Sequence, residues 1–438
     1  MHTLESLRSG ALTGVTRLDL NGAGLTSLPP EVFALADTLE VLNLSDNQLD
    51  RLPHDLPRLH RLKVVFCSGN PFEVLPEVLG DCPALEMVGF KACRLRHVPA
   101  ASLPPSLRWL TLTDNVLTTL PPQLGERPAL QKLMLAGNRL TGLPDSLAGA
   151  QRLELIRLSA NRLTRLPAWL TELPGLAWLA LSGNPLGWED WEGGGGKGNP
   201  PATLPAVQWS SLQLDGWLGE GASGHIYRVR VAADHRLWAL KLFKGAVTSD
   251  GLPEHELAAS VAAGPHANLC TPTATLAGHP DGLAGMLLPL VPTGFQPLAG
   301  PPSLSSCTRD VYAPSASFSP EVALQLLRQV AAAVVHLHAH GLVHGDLYAH
   351  NILWHPETGD ALLSDMGAAT VLPTADAPLA RALRAHEVLA LGHLLTEVLA
   401  RVEGGDTVLP NVAACARACQ TPKPAHRPTA TDVLAGLA

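Results

Sequence analysis

Aromatic side chains are scarce in this chain of 438 residues, 4% of the total with only three tyrosines, and there are just seven cysteines. An odd number of cysteines at irregular spacing does not build a disulfide framework, and the expectation is reduced thiols in a cytoplasmic setting. Lysine and arginine never gather into a block and the net charge is only −8, so the electrostatic footprint of a nucleic-acid binder is missing. No uninterrupted apolar run reaches the roughly 18 residues that a membrane span requires. The opening Met1-His2-Thr3-Leu4-Glu5-Ser6 lacks the basic segment and apolar run of a secretory leader. What is plentiful is aliphatic content: hydrophobic residues make up 46% of the chain, ample for buried cores. Nothing fixes an oligomeric state.

Self-similarity begins near residue 15. The first apolar position of each unit falls at Val15, Leu39, Leu62, Leu85, Leu107, Leu130, Leu153 and Leu176, spaced by 24, 23, 23, 22, 23, 23 and 23 residues. A full unit reads Leu39-Glu40-Val41-Leu42-Asn43-Leu44-Ser45-Asp46-Asn47-Gln48-Leu49, closed by Leu52-Pro53. Alternation at Leu42 and Leu44 makes a short strand with one face inward. An asparagine at 47, 70, 115, 138, 161 and 184 can bond the backbone where the chain leaves the strand, with Ala23 and Cys93 as departures. Leu-Pro steps such as Leu28-Pro29 and Leu143-Pro144 keep the return segment from being fully helical. The pattern resembles the leucine-rich repeat over about residues 13–187, which implies an α/β solenoid with a broad concave sheet. Phe66, Met87, Trp109, Met134 and Trp178, interleaved with charges such as Glu40, Lys132 and Arg157, are the expected concave face for a protein partner, with contact to the rest of the chain as the other use.

Periodicity stops at Pro185-Leu186. Trp188 and Trp191 are candidate caps of the repeat core, and Gly193 to Pro201 reads as a linker, flexible then stiff. The expected division is 1–187 repeats, 188–205 linker and 206–438 a second domain.

That domain is organised around His344-Gly345-Asp346-Leu347-Tyr348-Ala349-His350-Asn351, with a further acid in Ser364-Asp365-Met366-Gly367. An acid that can take a hydroxyl proton, with an amide and a second acid that can hold divalent metal, is what phosphoryl transfer needs. Upstream, glycines 219, 221 and 224 lie between two strand-like runs and would let backbone amides approach phosphate oxygens. Lys241 follows inside the apolar strand Leu237-Trp238-Ala239-Leu240-Lys241-Leu242-Phe243. Ser319-Pro320-Glu321 opens a helix with cap, proline and acid in order. The cluster His336, His338, His340 and His344 has no partner set with metal-ligand spacing.

In this order the segments resemble an α+β two-lobed protein kinase domain. The resemblance implies ATP and Mg²⁺ as cofactors: Gly219, Gly221, Gly224 and Lys241 would hold phosphates, Leu288 and Leu290 would flank the adenine ring, and Asn351 and Asp365 would bind the metal. Asp346 would be the catalytic base. Glu256 would pair with Lys241, with Glu254 as the alternative. Three departures stand out. Gly345 replaces the arginine that meets an activating phosphate. Tyr348 replaces a lysine facing the transferred phosphate, and His350 is a candidate to supply that positive charge instead. No Ala-Pro-Glu motif closes the segment between Met366 and His386, and Arg427-Pro428 lacks its usual glutamate. The expected activity is an ATP-dependent protein kinase acting on Ser/Thr hydroxyls, in a bacterial cytoplasmic protein with repeats that choose the partner. A pseudokinase scaffold and a small-molecule phosphotransferase are the alternatives.

Overall fold

The computed structural model describes residues 2–186, 204–221, 223–232, 236–245, 247–248, 250–372 and 377–438. The expected caps Trp188 and Trp191 and the glycine run of the linker lie outside the described residues. Two compact units emerge, Met1–Leu173 and Pro174–Ala438. The break falls one repeat before the periodicity ends, so the eighth repeat belongs to the second unit.

The repeats contribute three-residue strands Arg17–Asp19, Val41–Asn43, Val64–Phe66, Met87–Gly89, Trp109–Thr111, Lys132–Met134, Leu155–Arg157 and Trp178–Ala180 (β1–β8), of which β1–β7, in the first unit, pair in parallel and in chain order. Register places Leu18, Leu42, Val65, Val88, Leu110, Leu133 and Ile156 side by side, all at most 1% exposed. One such column is enough to stack the repeats, since each buried aliphatic side chain contributes roughly 1.5–3 kcal/mol. The return segments are short 3₁₀ turns, such as Glu77–Asp81 and Asp145–Gly149, entered from an extended proline. That proline sets φ and removes a donor, so the turn cannot lengthen upstream.

The asparagine ladder is fully employed. Asn70 Oδ1 accepts from Leu49 N at 2.8 Å while its Nδ2 donates to Leu44 O and Cys67 O, both at 2.9 Å. At the departure Cys93, the thiol donates to Cys67 O at 3.2 Å, a weaker version of the same bond. The expected concave face needs correction. Met87 and Trp178 are 4% and 2% exposed and Lys132 and Arg157 are 8% and 2%, so these four are interior; Phe66, Trp109 and Met134 stay half-buried.

In the second unit, strands Ala206–Gln208, Leu212–Glu220, Gly224–Val231, Leu237–Phe243, Ala274–Ala277 and Gly285–Pro289 (β9–β14) form a sheet in the order β10-β11-β12-β14-β13-β9. Val229, Leu240, Leu242, Ala274 and Leu287 make its core. Helix Leu4–Arg8 of the first unit is α1; Pro253–Ala263 is α2, Pro320–Ala339 is α3 and Pro378–Leu399 is α4. The short pairs Gln296–Pro297 with Ile352–Trp354 and Ala361–Leu363 (β15, β17, β18), and Leu342–Val343 with Thr370–Val371 (β16, β19), carry the loops between them. Ser319 caps α3 as expected, its Oγ accepting from Val322 N at 3.3 Å. By length and composition α3 is also the one helix among the described residues apolar enough to cross a membrane. A search for uninterrupted apolar runs passes over it because Arg328 and two glutamines interrupt the run. Its apolar stripe, Leu326, Leu327, Val330, Val334 and Leu337 among it, is buried in the unit.

Candidate active site

Lys241 sits mid-strand on β12 with Met286 of β14 opposite it. Its ammonium bonds Glu256 Oε1, and the two side chains are 9% and 2% exposed. Glu254, two residues earlier on α2, faces solvent, because a helix turns 200° over that interval. Burial raises the Glu256 carboxyl above the usual carboxylate range, with the charge of Asp365 adding to the rise; Lys241 and Ser223 of the glycine loop oppose it.

The three loop glycines differ. A Cβ on Gly224 would come within 2.6 Å of Leu242 O, so side chains are barred there by the neighbouring strand. At Gly219 and Gly221 a Cβ would meet nothing within 4 Å, and what the missing side chain leaves is open room. Leu288 lies on β14 opposite Ala239, Leu290 just past its end, and both are half-buried.

The segment 344–351 is held from several sides. His344 is fully buried, with Nε2 on Ser364 O at 2.9 Å and Nδ1 accepting from Asp346 N at 3.3 Å. Asn351 Nδ2 donates to Asp346 O at 2.9 Å and to Asp346 Oδ2 at 2.8 Å. Both amide hydrogens are thereby used on Asp346, and Oδ1 is the atom Asn351 can offer a cation. Asn351 O in turn accepts from Ser364 N and Oγ at 2.9 and 2.8 Å, tying this loop to Asp365. Asp365 adopts φ +60° and accepts from Gly367 N at 3.1 Å.

His350 is committed elsewhere than expected. Its Nδ1 bonds Asp310 Oδ1 at 2.7 Å and its amide donates to Asp310 Oδ2 at 3.0 Å, with the Asp310 side chain fully buried. Burial opposes the charged ring, but Asp310, then Asp346 and Asp365, lift its pKa above the ordinary value. Among the described residues, Glu256, Asp346 and Asp365 bring carboxylates to the cleft beside the Lys241 ammonium, while His350 is matched by Asp310. Carboxylate and amide oxygens together are the donor set that suits a hard divalent cation. On this test the residues fit Mg²⁺ and a nucleoside triphosphate.

Sequence reasoning missed Glu387. This acid on α4 accepts from Gly345 N at 2.9 Å and from His338 Nε2 at 2.7 Å, anchoring the start of the loop. Burial works against its ionised form, yet the His338 bond and the charges of His338 and His344 hold its pKa below the usual range. Of the histidine cluster, His336 instead bonds Ala263 O at 2.7 Å and His340 bonds His336 O at 2.8 Å, so each ring has its own backbone or carboxylate partner.

The odd residues Gly345 and Tyr348 have a common cause. Gly345 has φ +72°, and a Cβ there would stand 2.6 Å from Ala368 O and 2.8 Å from Leu179 O of β8. Tyr348 is 5% exposed, its ring stacked on Trp178 of β8 at 4.2 Å and 6°. Trp178 Nε1 donates to Leu347 O at 3.0 Å. Tyr348 thus faces the eighth repeat. Arg427, without its usual glutamate, donates to Thr421 O, Ala385 O and, at 2.6 Å, Pro174 O of the same repeat. Burial pushes its pKa down to about 10.

Comparison with known proteins follows these divisions. A protein kinase domain model matches residues 212–393, and a leucine rich repeat model matches 13–72 and 128–186. The chain is similar to mouse podocan-like protein 1, 35% identical over 123 residues, covering 26% of this chain and 21% of that protein. It is also similar to the probable inactive serine/threonine-protein kinase roco10 of Dictyostelium discoideum, 33% identical over 115 residues, covering 24% of this chain and 4% of that one. The chain thus spans about a fifth or less of the length of these curated relatives. A solved leucine-rich-repeat protein of Leptospira interrogans matches with a TM-score of 0.28 at 26% identity, covering 41% of this chain and 57% of that one. The chain carries leucine-rich repeats and a protein kinase domain.

Proposed function

We propose that the chain is an ATP-dependent protein kinase acting on serine and threonine hydroxyls, in the cytoplasm, with its repeats engaging a protein partner. The observation that carries the reading is the closed Lys241–Glu256 pair in the same cleft as Asp346, Asn351 and Asp365. Bound Mg²⁺–ATP would supply the transferable phosphoryl group and a cation for the carboxylates of Asp346 and Asp365 to face. Lys241 orients the α- and β-phosphates, and Glu256 fixes the direction of its ammonium. Asp346 accepts the hydroxyl proton; the Asn351 amide aims its Oδ2. Asn351 Oδ1 and the Asp365 carboxylate hold the metal. His350 works through the loop, pinned by Asp310. Seven free cysteines, five of them buried, suit a reducing compartment. The half-buried Phe66, Trp109 and Met134 remain the candidate partner face.

The test is transfer of label from ATP with Mg²⁺ to generic protein acceptors by wild type and Asp346→Asn. Removing a general base costs about 10²–10⁴-fold in turnover. Protein labelling lost in the variant is the expected result. A second reading, an ATP-binding scaffold, draws on Tyr348, an aromatic turned away from the phosphate where a lysine is usual, and on the inactive kinase among the similar proteins. ATP binding with no turnover by wild type would establish that reading in place of the first. Labelling confined to small molecules would make the chain a small-molecule phosphotransferase.

A further inference from the structure

The eighth repeat is bonded to several of the segments of the kinase domain that must be held still for phosphoryl transfer. Besides the Trp178 contacts with Leu347 O and Tyr348, Leu181 N donates to Thr370 Oγ1 at 3.1 Å, just beyond Asp365. His386 Nδ1 donates to Leu176 O at 2.8 Å, one residue from the Glu387 that anchors Gly345. At the other end of the repeat, Gly183 lies against His255 of α2, so close that a Cβ would come within 2.3 Å of the ring. His255 is the neighbour of Glu256. One three-residue strand and its turns therefore touch the helix that carries Glu256, the loop that carries Asp346, and the segment after Asp365. The chain between Asp365 and α4 is only twelve residues, too short to fold over the loop and brace it as longer activation segments do when phosphorylated.

We propose that the eighth repeat is a permanent brace of the catalytic machinery, with Trp178 as its positioning residue, so that the arrangement reached in other kinases by an ordered activation segment is built in here. This rests on the kinase reading above. Gly345 and Tyr348 follow from it: an arginine at 345 would collide with Leu179 O, and the Tyr348 ring is the surface on which the brace sits. Trp178 touches no reacting atom. It acts chiefly by seating the Tyr348 ring, two residues from Asp346, with the bond to Leu347 O as the smaller part, and a shift of about 1 Å at the loop is enough to cost on the order of 10²-fold.

The test uses the full chain with Trp178→Ala and Trp178→Phe, the second keeping the stacked ring while losing the bond to Leu347 O. Turnover, ATP dissociation and amide hydrogen exchange are measured together. For Trp178→Ala the expected result is a fall in kcat of at least 30-fold, an ATP dissociation constant within threefold of wild type, and faster exchange confined to 344–351 and α2. Trp178→Phe should retain at least a third of wild-type kcat. A kcat within threefold of wild type in Trp178→Ala overturns the proposal. So does a loss of ATP binding and of exchange protection throughout the unit, which is how a plain core residue would behave. If wild type transfers no phosphate, the kinase reading fails by itself, and the exchange of 344–351 alone then decides whether the brace exists.

Discussion

The two units bury polar groups by opposite means. In the repeats, Lys132 and Arg157 apart, the buried polar side chains are neutral, and the amides among them close backbone donors and acceptors in a fixed pattern: Asn115 takes Cys93 N and Leu95 N and gives to Phe90 O and Leu112 O. In the second unit the titratable side chains around the site lie in pairs, Lys241 with Glu256, His338 with Glu387 and His350 with Asp310. A satisfied amide needs nothing further and contributes to one structure only. A buried ion pair is poor value for stability, because desolvation cancels most of the attraction. Its retention makes sense where a charged ligand must be met by charges already in place. The difference separates a scaffold from a site.

The largest expected break in this contrast is at Lys241. Lys241→Met should lower turnover about 10³-fold, about 4 kcal/mol of transition-state stabilisation. It should also destabilise the unit by about 3–5 kcal/mol, since Glu256 is left charged and alone in the interior. The double variant Lys241→Met/Glu256→Gln removes the stranded charge. Thermal melts should show most of the stability restored, while turnover stays as low as in the single variant. Stability and activity that recover together, or not at all, would mean that the pair is held for folding and that the contrast is misdrawn.

A scaffold amide should behave in reverse. Asn115→Leu strands three backbone groups, Cys93 N, Leu95 N and Phe90 O, since Leu112 O keeps its bond from Asn138; each is worth roughly 1–3 kcal/mol when left unmet, partly relieved by water. Denaturant titration should find a loss of about 3 kcal/mol with no change in ATP affinity, since repeat energies propagate only to neighbours. A loss under about 1 kcal/mol would remove the ladder from the account of repeat stability.

Legibility in sequence divides along the same line. The repeats were readable because each unit states its own contacts: period, inward leucines and, in most units, the asparagine recur about every 23 residues, and eight copies correct one another. The order of the site residues was readable because phosphoryl transfer restricts which groups can do the work. What was hidden lies in contacts across long separations. Asp310 comes from the irregular stretch between β15 and α3 and meets His350 forty residues on; Trp178 meets Leu347 across 169. Trp178 looked like a concave-face residue because strand alternation assigns it to that side of the sheet but cannot say what covers it. Gly345 and Tyr348 were visible as departures, and their physical reason, a strand packed directly on the loop, was not. The glutamate missing from Arg427 had the same source: its replacement is a backbone carbonyl at Pro174, which no motif records.

The last expected effect, one of pH, concerns a buried acid in the second unit that has no full counter-ion. Glu397 is raised from the ordinary 4.5 to about 7, by burial first and by the nearby charge of Asp310, against the pull of Arg309, Tyr312 and Arg401. Between those two values the folded chain keeps a proton that the unfolded chain has released, so stability falls as pH rises through that window and levels off above about 7. The difference across it is about 3 kcal/mol. Glu397→Gln carries no titrating proton and can still bond Tyr312, whose hydroxyl lies 3.3 Å from the carboxylate. Chemical denaturation at pH 5 and pH 8 should therefore give wild type a drop that the variant lacks, with the variant the more stable of the two at pH 8. Equal drops in both would show that Glu397 ionises freely. The stretch between β15 and α3 that brings Asp310 to His350 would then carry no penalty at Glu397, and the second unit's charged groups would be as self-sufficient as the amides of the repeats.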